Sequence, residues 1–390
     1  MRLSGPVRQS FPPDPDASDL RVLVSPSSHG VDHDQSKGTF CSPVPHLGIA
    51  IAHSLQNVSS MSGNAVRTSV RKTQVYRPQT KTQMNDPTVD CIIVGGGPAG
   101  LTAALYLARF RRSTIVIDDG HSRASLIPVV RNLAGFESGI NGKALLAKMR
   151  RQIECYDVPV LEGRVTTIRH MDGRFLVQYC SNGGGSSRSL VAYRALLACG
   201  IRDKLPPIDD AVGLTQRGLL RFCAICDGFE AQGKRIAMFG PVSRALSHAL
   251  FFRTFCQQVA VIAPDIDALT EQERALAAEN AVELIMTEAL QLPNCTEAPV
   301  SVECPNGQRH LFDAIYPVLG CHSQADLLSG FDVQRDSDGM IVTGRHQQTS
   351  VDGLYAAGDA VNTLNQICVA VGEAAMASMA IHRSLPANPL

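Results

Sequence analysis

The sequence has no tryptophan, and aromatic residues are only 5% of its 390 residues. It has no charge imbalance either: 36 Lys and Arg face 36 Asp and Glu, a formal net charge of zero. A neutral chain lacks the electrostatic footprint of a nucleic-acid or acidic-membrane binder, so neither partner is expected. No apolar run approaches the roughly 18 residues that suggest a membrane-spanning helix, because glycine, proline or charge interrupts every one. Twelve cysteines are present, but only Cys223 and Cys226 stand at Cys-x-x-Cys spacing. A secreted disulfide framework belongs to much shorter chains. The scattered singles, among them Cys91, Cys155 and Cys256, read as small buried hydrophobes in a reducing, cytoplasmic setting. What is there is an apolar content of 44% with 18% charged residues. That can bury a real core and excludes a wholly disordered or collagen-like chain. A prior of about 150 residues per domain suits two domains and a tail.

Residues 1–88 are the expected tail. They hold nine prolines and thirteen serines and no glutamate, and no helical or strand periodicity persists. Such a segment cannot bury enough apolar surface to offset its chain entropy and is expected to be disordered. Residues 65–83 carry Arg67, Arg71, Lys72, Arg77 and Lys81 without an acid, a composition of transit type, so organelle targeting stays open. The plainer reading is a solvated tail, or a start at Met61 or Met84.

Order is expected from Val89. The run VDCIIVGGGPAGLTAALYLARFRRSTIVIDDG reads as strand, glycine turn, helix and strand. VDCIIV is continuously apolar, as a parallel sheet buried on both faces requires. Leu101, Leu105 and Ala108 give the helix 98–109 its apolar spacing. A second unit of this kind begins at KRIAMFG (234–240) and continues through a helical stretch to QQVAVIA (257–263). Between them, GRFLVQYCSNGGGSSRSLVAYRALLACG reads as strands joined by a Gly/Ser turn. Residues 340–390 offer a strand MIVT, the run GLYAAGDA and a terminal helix from about 366 to 383. The fold class expected is α/β, with two Rossmann-like units in one chain.

Gly95, Gly97 and Gly100 form G-x-G-x-x-G between strand and helix, and Asp118 follows 18 residues after the third glycine. Gly95 permits the tight turn, Gly97 lets backbone amides approach a pyrophosphate, and Gly100 allows close helix–strand packing. The carboxylate of Asp118 suits ribose hydroxyls. Strand, turn, helix, second strand and acid together point to a bound dinucleotide.

Cys223-Ala-Ile-Cys226-Asp227-Gly228 lies further on. The spacing allows a disulfide across a helical turn, and an adjacent acid can protonate a leaving thiolate. A zinc site would need four ligands, and the nearest candidates are His248 and Cys256. Inert core cysteines are the third possibility. No metal is expected.

These motifs resemble the low-molecular-weight thioredoxin reductase family of flavoproteins. The match runs through VGGGPAGLTAALYLAR (94–109), NLAGFESGINGKALLAKM (132–149), CAICDG (223–228), FDAIYPVLG (312–320) and TSVDGLYAAGDA with NQ and VGEAA (349–375). The resemblance implies FAD on the first unit and a second domain inserted into the FAD domain. The boundaries would be 89–205 and 321–390 for the FAD domain and 206–320 for the insert. It also implies that Gly95, Gly96, Gly97, Pro98, Ala99 and Gly100 hold the FAD pyrophosphate and Asp118 the ribose. Asn132 would sit near the isoalloxazine, Asp359 on the ribityl chain, and Gln366 beside the flavin ring, with Val165, Gly358 and Ile367 also against the cofactor. Cys226 would face the flavin, Cys223 would exchange with substrate, and Asp227 would donate the proton. The terminal helix would aim its N-terminus at the flavin pyrimidine, favouring the anionic reduced form. Family members are typically homodimers, and the partner would be a thioredoxin-like protein or a small dithiol or disulfide.

The chain departs from the family in its second glycine turn, which reads Phe239-Gly240-Pro241-Val242-Ser243-Arg244-Ala245. Val242 would fill the space of a pyrophosphate, and Pro241 lacks an N–H. The cation run that follows the next strand in the family is Ile262-Ala263-Pro264 here. Asn365 stands where the family has an arginine before Gln366, and Cys199 replaces a threonine. Cys199 and Cys368 read as buried filler. The function expected is an FAD-dependent thiol/disulfide oxidoreductase with weak or no NADPH use. The alternatives are a dithiol oxidase returning electrons to oxygen, an enzyme fed by a protein donor such as ferredoxin, an ordinary NADPH-dependent thioredoxin reductase, or a non-enzymatic scaffold.

Overall fold

The computed structural model describes residues 88–183, 187–292, 296–323, 325–328, 330–361 and 364–389. The expected disordered tail, with Met61 and Met84, lies outside the described residues.

The first domain begins with β1 (Val89–Val94), which enters a turn and then α1 (Pro98–Arg109) and β2 (Thr114–Asp118). β1 and β2 pair in parallel, Ile92 against Ile115. Cys91 and Ile93 join the core under α1, and Ile92 and Val94 join a second core on the opposite face. Both faces of the strand are therefore buried, which is why its sequence shows no polar alternation. Proline at N1 of α1 loses nothing, because that amide has no intrahelical acceptor. The buried stripe of α1 runs through Leu101, Ala104 and Leu107. Of the three expected positions Leu101 is on the stripe, and Leu105 and Ala108 pack at its edge.

α2 (Gly142–Glu154) is capped by Asn141, whose side chain accepts from the amides of Lys143 and Ala144. A meander follows: β3 (Val160–Met171), β4 (Arg174–Ser181) and β5 (Arg188–Leu197). The first turn is Asp172-Gly173, both at positive φ, the backbone that a two-residue hairpin of right-handed twist requires. β5 pairs with β4 antiparallel and with β1 parallel.

β6 (Ile201–Asp203) then leads out of this domain. α3 (Ala211–Gln216) and the short α4 (Ala224–Asp227) precede a second βαβ unit: β7 (Arg235–Phe239), α5 (Val242–Phe252) and β8 (Gln258–Ala263). α6 (Glu271–Glu279) opens on a full capping box between Thr270 and Glu273 and leads to β9 (Val282–Met286). The hairpin β10 (Val300–Glu303) and β11 (Arg309–Phe312) is followed by β12 (Ala314–Pro317), and a parallel sheet forms in the order β12-β7-β8-β9. Its faces repeat the logic of the first sheet: Ile236 and Met238 pack under α5, and Ala237 and Phe239 pack against the hairpin side.

β13 (Cys321–Ser323) pairs antiparallel with β6, so the chain returns beside the strand by which it left. β14 (Leu354–Ala356) then completes the first sheet against β5, and α7 (Ile367–Ser384) packs on α1. The second Rossmann-like domain is thus inserted into the first. The contact of α7 and α1 is made largely of alanines, including Ala103, Ala104, Ala374 and Ala377, which let the two helices approach closely. The expected strand MIVT is not formed. Residues 336–340 close a turn in which Asp336 Oδ1 accepts from Asp338 and Met340, and only Ile341 makes isolated bridges. No helix among the described residues is long and apolar enough to cross a membrane.

Of the single cysteines, Cys91, Cys256 and Cys304 are buried as expected of small hydrophobes. Cys155 and Cys368 are exposed, the latter because position 368 falls on the outer face of α7.

Candidate active site

A cavity of about 340 Å3 runs from the turn after β1, past the start of α7, to the cysteine pair. It is lined by Gly95, Gly96, Gly97, Pro98, Ala99, Asp118, Asn132, Val165, Gly358, Asp359, Gln366 and Ile367, and by Cys223, Cys226 and Asp227. Residues spread over 270 positions are thus brought to one chamber. Gly100, the remaining residue of the expected set, does not line it. A Cβ there would lie 1.9 Å from the Gly95 carbonyl oxygen, so this glycine serves helix–strand contact, as its place in the motif implies.

The other turn glycines divide by geometry. Gly95 sits at φ +108, and a Cβ would meet the Ala198 carbonyl oxygen at 2.3 Å. A Cβ on Gly97 would meet only Ser122 Oγ, at 3.2 Å, and would otherwise point into open space. The first-turn amides of α1 have no intrahelical acceptor and open on the chamber at this point. A neutral, amide-lined hollow at a helix N-terminus suits a pyrophosphate. The chain's own residues therefore fit FAD, and the hollow lies at Gly97.

Asp118 is buried, and its carboxylate is already braced: Oδ1 accepts from the Gly96 amide at 3.0 Å and Oδ2 from Arg150. Asp359 stands on a turn held by α7, where Glu373 accepts from the Gly358 amide at 2.7 Å. Burial raises the Asp359 carboxyl above its ordinary value, against the pull of Arg123. Arg123 reaches Asp359 at 3.3 Å and grips Asp203 on β6 with two bonds of 2.6 and 2.9 Å. Arg123, Arg150 and Asp203 carried no signal in the sequence, because each acts through a partner more than thirty positions away.

Cys223 and Cys226 form a disulfide, with Cys223 capping α4 by accepting from the Cys226 amide at 3.1 Å. The side chain of Gln366, at the N-cap of α7, donates from Nε2 to both sulfurs, at 3.4 and 3.5 Å. Its Oε1 accepts from Asn132 Nδ2 at 2.7 Å. Three segments expected at the flavin ring thus meet at the disulfide. Asp227 follows the pair and meets Arg221 at 3.3 Å. Burial raises its carboxyl, and Arg221 offsets part of the rise. Cys199, expected as buried filler, is only partly buried and lines the same chamber, where burial of its thiol pushes it up to about 11. Of the rival zinc ligands, Cys256 Sγ donates to the Ala231 carbonyl at 2.9 Å, and among the described residues neither His248 nor Cys256 belongs to a cluster that could hold a metal.

The second glycine-turn position is built differently from the first. Val242 is 2% exposed and its side chain faces the core under α5, not the outside of the turn where the sequence placed it. Its amide, the first of α5, donates to Asp265 Oδ1 at 3.1 Å. Pro241 caps the helix without a side-chain bond, and Pro264 follows β8.

Residues 89–374 match the family model described as pyridine nucleotide-disulphide oxidoreductase. The chain is 30% identical over 317 residues to a thioredoxin reductase of Mycolicibacterium smegmatis, spanning 76% of this chain and 96% of that one. It is 28% identical to a thioredoxin reductase of Borreliella burgdorferi over 74% of this chain and 90% of the relative. The crystal structure of a thioredoxin reductase from Streptococcus pyogenes superposes with a TM-score of 0.65 at 27% identity, covering 76% of this chain and 97% of that one. The chain belongs to the pyridine nucleotide-disulphide oxidoreductase family, and is an FAD-dependent oxidoreductase of thioredoxin reductase type that acts on sulfur groups.

Proposed function

We propose that the protein passes electrons between FAD, the Cys223–Cys226 pair and an external thiol or disulfide, with little or no use of NADPH. The observation that carries this reading is the Asp265 carboxylate seated on the first amide of α5. In the first domain the matching carboxylate, Asp118, takes the Gly96 amide one position earlier in the turn, and Gly97 and the start of α1 line the open chamber. In the second the helix start is occupied by the chain's own negative charge, which a nucleotide phosphate would have to displace against like-charge repulsion. Strand β8 ends at Ala263, and the residues that follow, Pro264 and Asp265, offer no cation to hold a 2′-phosphate. Losing several charge-assisted bonds at about 1.5–3 kcal/mol each weakens binding by orders of magnitude.

FAD, when bound, supplies a two-electron store. The chain's residues do the rest. Cys223 exchanges with the substrate sulfur, Cys226 faces the flavin side, and Asp227 supplies the proton to the departing thiolate. Gln366 holds both sulfurs toward the start of α7, whose dipole favours negative charge on that side. Thioredoxin reductases among the relatives support a thioredoxin-like protein as the substrate, with a small dithiol or disulfide as the alternative. A homodimer and a cytoplasmic location belong to the same reading. Calorimetric titration of NADPH into the oxidised holoprotein tests it. No binding in the micromolar range is expected, and saturable micromolar binding would overturn it.

A further inference from the structure

Arg221 is built into the scaffold behind the disulfide. Its amide donates to the Ile315 carbonyl at 3.0 Å, and its Nε donates to the Gly218 carbonyl at 2.9 Å. With the stem and one edge of the guanidinium fixed to backbone, Nη1 reaches Asp227 Oδ2 at 3.3 Å. The guanidinium also meets the hydroxyl of Tyr316, a buried residue of β12. Arg221, Glu230 and Lys234 line both the flavin chamber and a second cavity of about 180 Å3, so Arg221 stands in the wall between the two. The pair is partly buried on both sides, with side-chain exposures of 27% and 17%, unlike a solvent-screened surface bridge.

We propose that Arg221 is a positioning residue for thiol–disulfide exchange: it holds the Asp227 carboxyl at the chamber wall and fixes the pH range over which that carboxyl can hand its proton to sulfur. The inference rests on the reading of Asp227 as proton donor. When a dithiol attacks, its thiolate bonds to Cys223 Sγ and the Cys223–Cys226 bond breaks. The electron pair goes to Cys226 Sγ, which takes the proton from Asp227. The second thiol of the dithiol then displaces Cys223, so the dithiol is oxidised by two electrons and the cysteine pair is reduced by two. The step needs Asp227 protonated.

Four charged or titratable groups face that carboxyl: Arg221, Glu230, Lys234 and Tyr316. Burial raises it, Arg221 is the largest influence pulling it down, and Glu230 pushes it up. Removing the cation therefore keeps Asp227 protonated to higher pH, and the falling limb of the rate moves upward.

The test uses the full-length holoprotein and dithiothreitol from about pH 5 to about pH 9, with rates expressed per dithiothreitol thiolate. Alkylation and mass spectrometry count reduced Cys223 and Cys226, a readout independent of the flavin. Asp227→Asn is expected to remove the falling limb, Arg221→Gln to shift it upward by about one pH unit, and Arg221→Lys to leave it near its original place. A limb unmoved in Arg221→Gln but absent in Asp227→Asn overturns the role of Arg221 alone. A uniform loss of rate without a shift overturns it too, since that is what a purely structural arginine would give. A limb that survives in Asp227→Asn overturns the proton-donor reading itself.

Discussion

Gly97 separates folding from cofactor binding at a single residue. Its backbone is in a region open to any side chain, φ −80, and a Cβ would press only on the Ser122 side chain, at 3.2 Å, which a small rotation relieves. Gly97→Leu is therefore expected to fold and to purify colourless, because the side chain enters the hollow meant for the pyrophosphate. Full flavin occupancy in that variant, read from its visible spectrum, would place the cofactor elsewhere. The cysteines divide their roles in the same testable way. Cys223→Ser should leave a Cys226 thiolate beside the flavin and give a long-wavelength charge-transfer band, and Cys226→Ser should not. Both should lose turnover with thiol substrates, and a band in the opposite variant would swap the assignment. Glycines, cysteines and Asp118 were readable in the sequence because backbone geometry or chemistry restricts which residues can stand there. Arg123, Arg150 and Arg221 were not, since an ordinary arginine gains its role from a carboxylate that only the tertiary fold delivers.

At the scale of elements, the two βαβ units show one topology serving two ends. Both strands are buried on both faces, and that pattern was plain in VDCIIV and RIAMF. The difference lies at the helix starts. α1 opens on a chamber, whereas α5 opens on Asp265. The change was legible at Val242 but for another reason than the one the structure shows: the valine turns inward, and the carboxylate takes the amide. Asp265→Ala should raise NADPH affinity by about tenfold if that charge is a principal obstacle, as measured by fluorescence quenching, and no gain would locate the obstacle in Pro241 and the missing cations instead. α6 offers an independent check on local stability. Thr270→Ala removes its capping box and should cost about 1 kcal/mol, seen as a lowered thermal midpoint of the second domain. An unchanged midpoint would mean that tertiary contacts alone hold that helix end. MIVT shows the limit of pattern reading, since its apolar residues suit a strand but beside the turn at Asp336 only Ile341 forms β-bridges, and those are isolated.

Over the whole molecule, the inserted domain carries the disulfide to the flavin chamber, and Gln366 and Asn132 receive it there. That assembly sets the cysteine pair in the wall of the chamber proposed for the flavin. The second domain keeps the outline of a nucleotide fold, with the Asp265 carboxylate on the first amide of α5, and on the proposed reading it does not take up NADPH. Electrons are then expected to enter or leave through sulfur. Anaerobic titration of the purified holoprotein tests this most directly, following flavin absorbance as NADPH, NADH and then dithiothreitol are added. The account predicts that neither nucleotide bleaches the flavin at a useful rate and that dithiothreitol does so through Cys223 and Cys226. Bleaching by NADPH within a second at micromolar concentration would contradict it, and would make the protein an ordinary NADPH-dependent thioredoxin reductase.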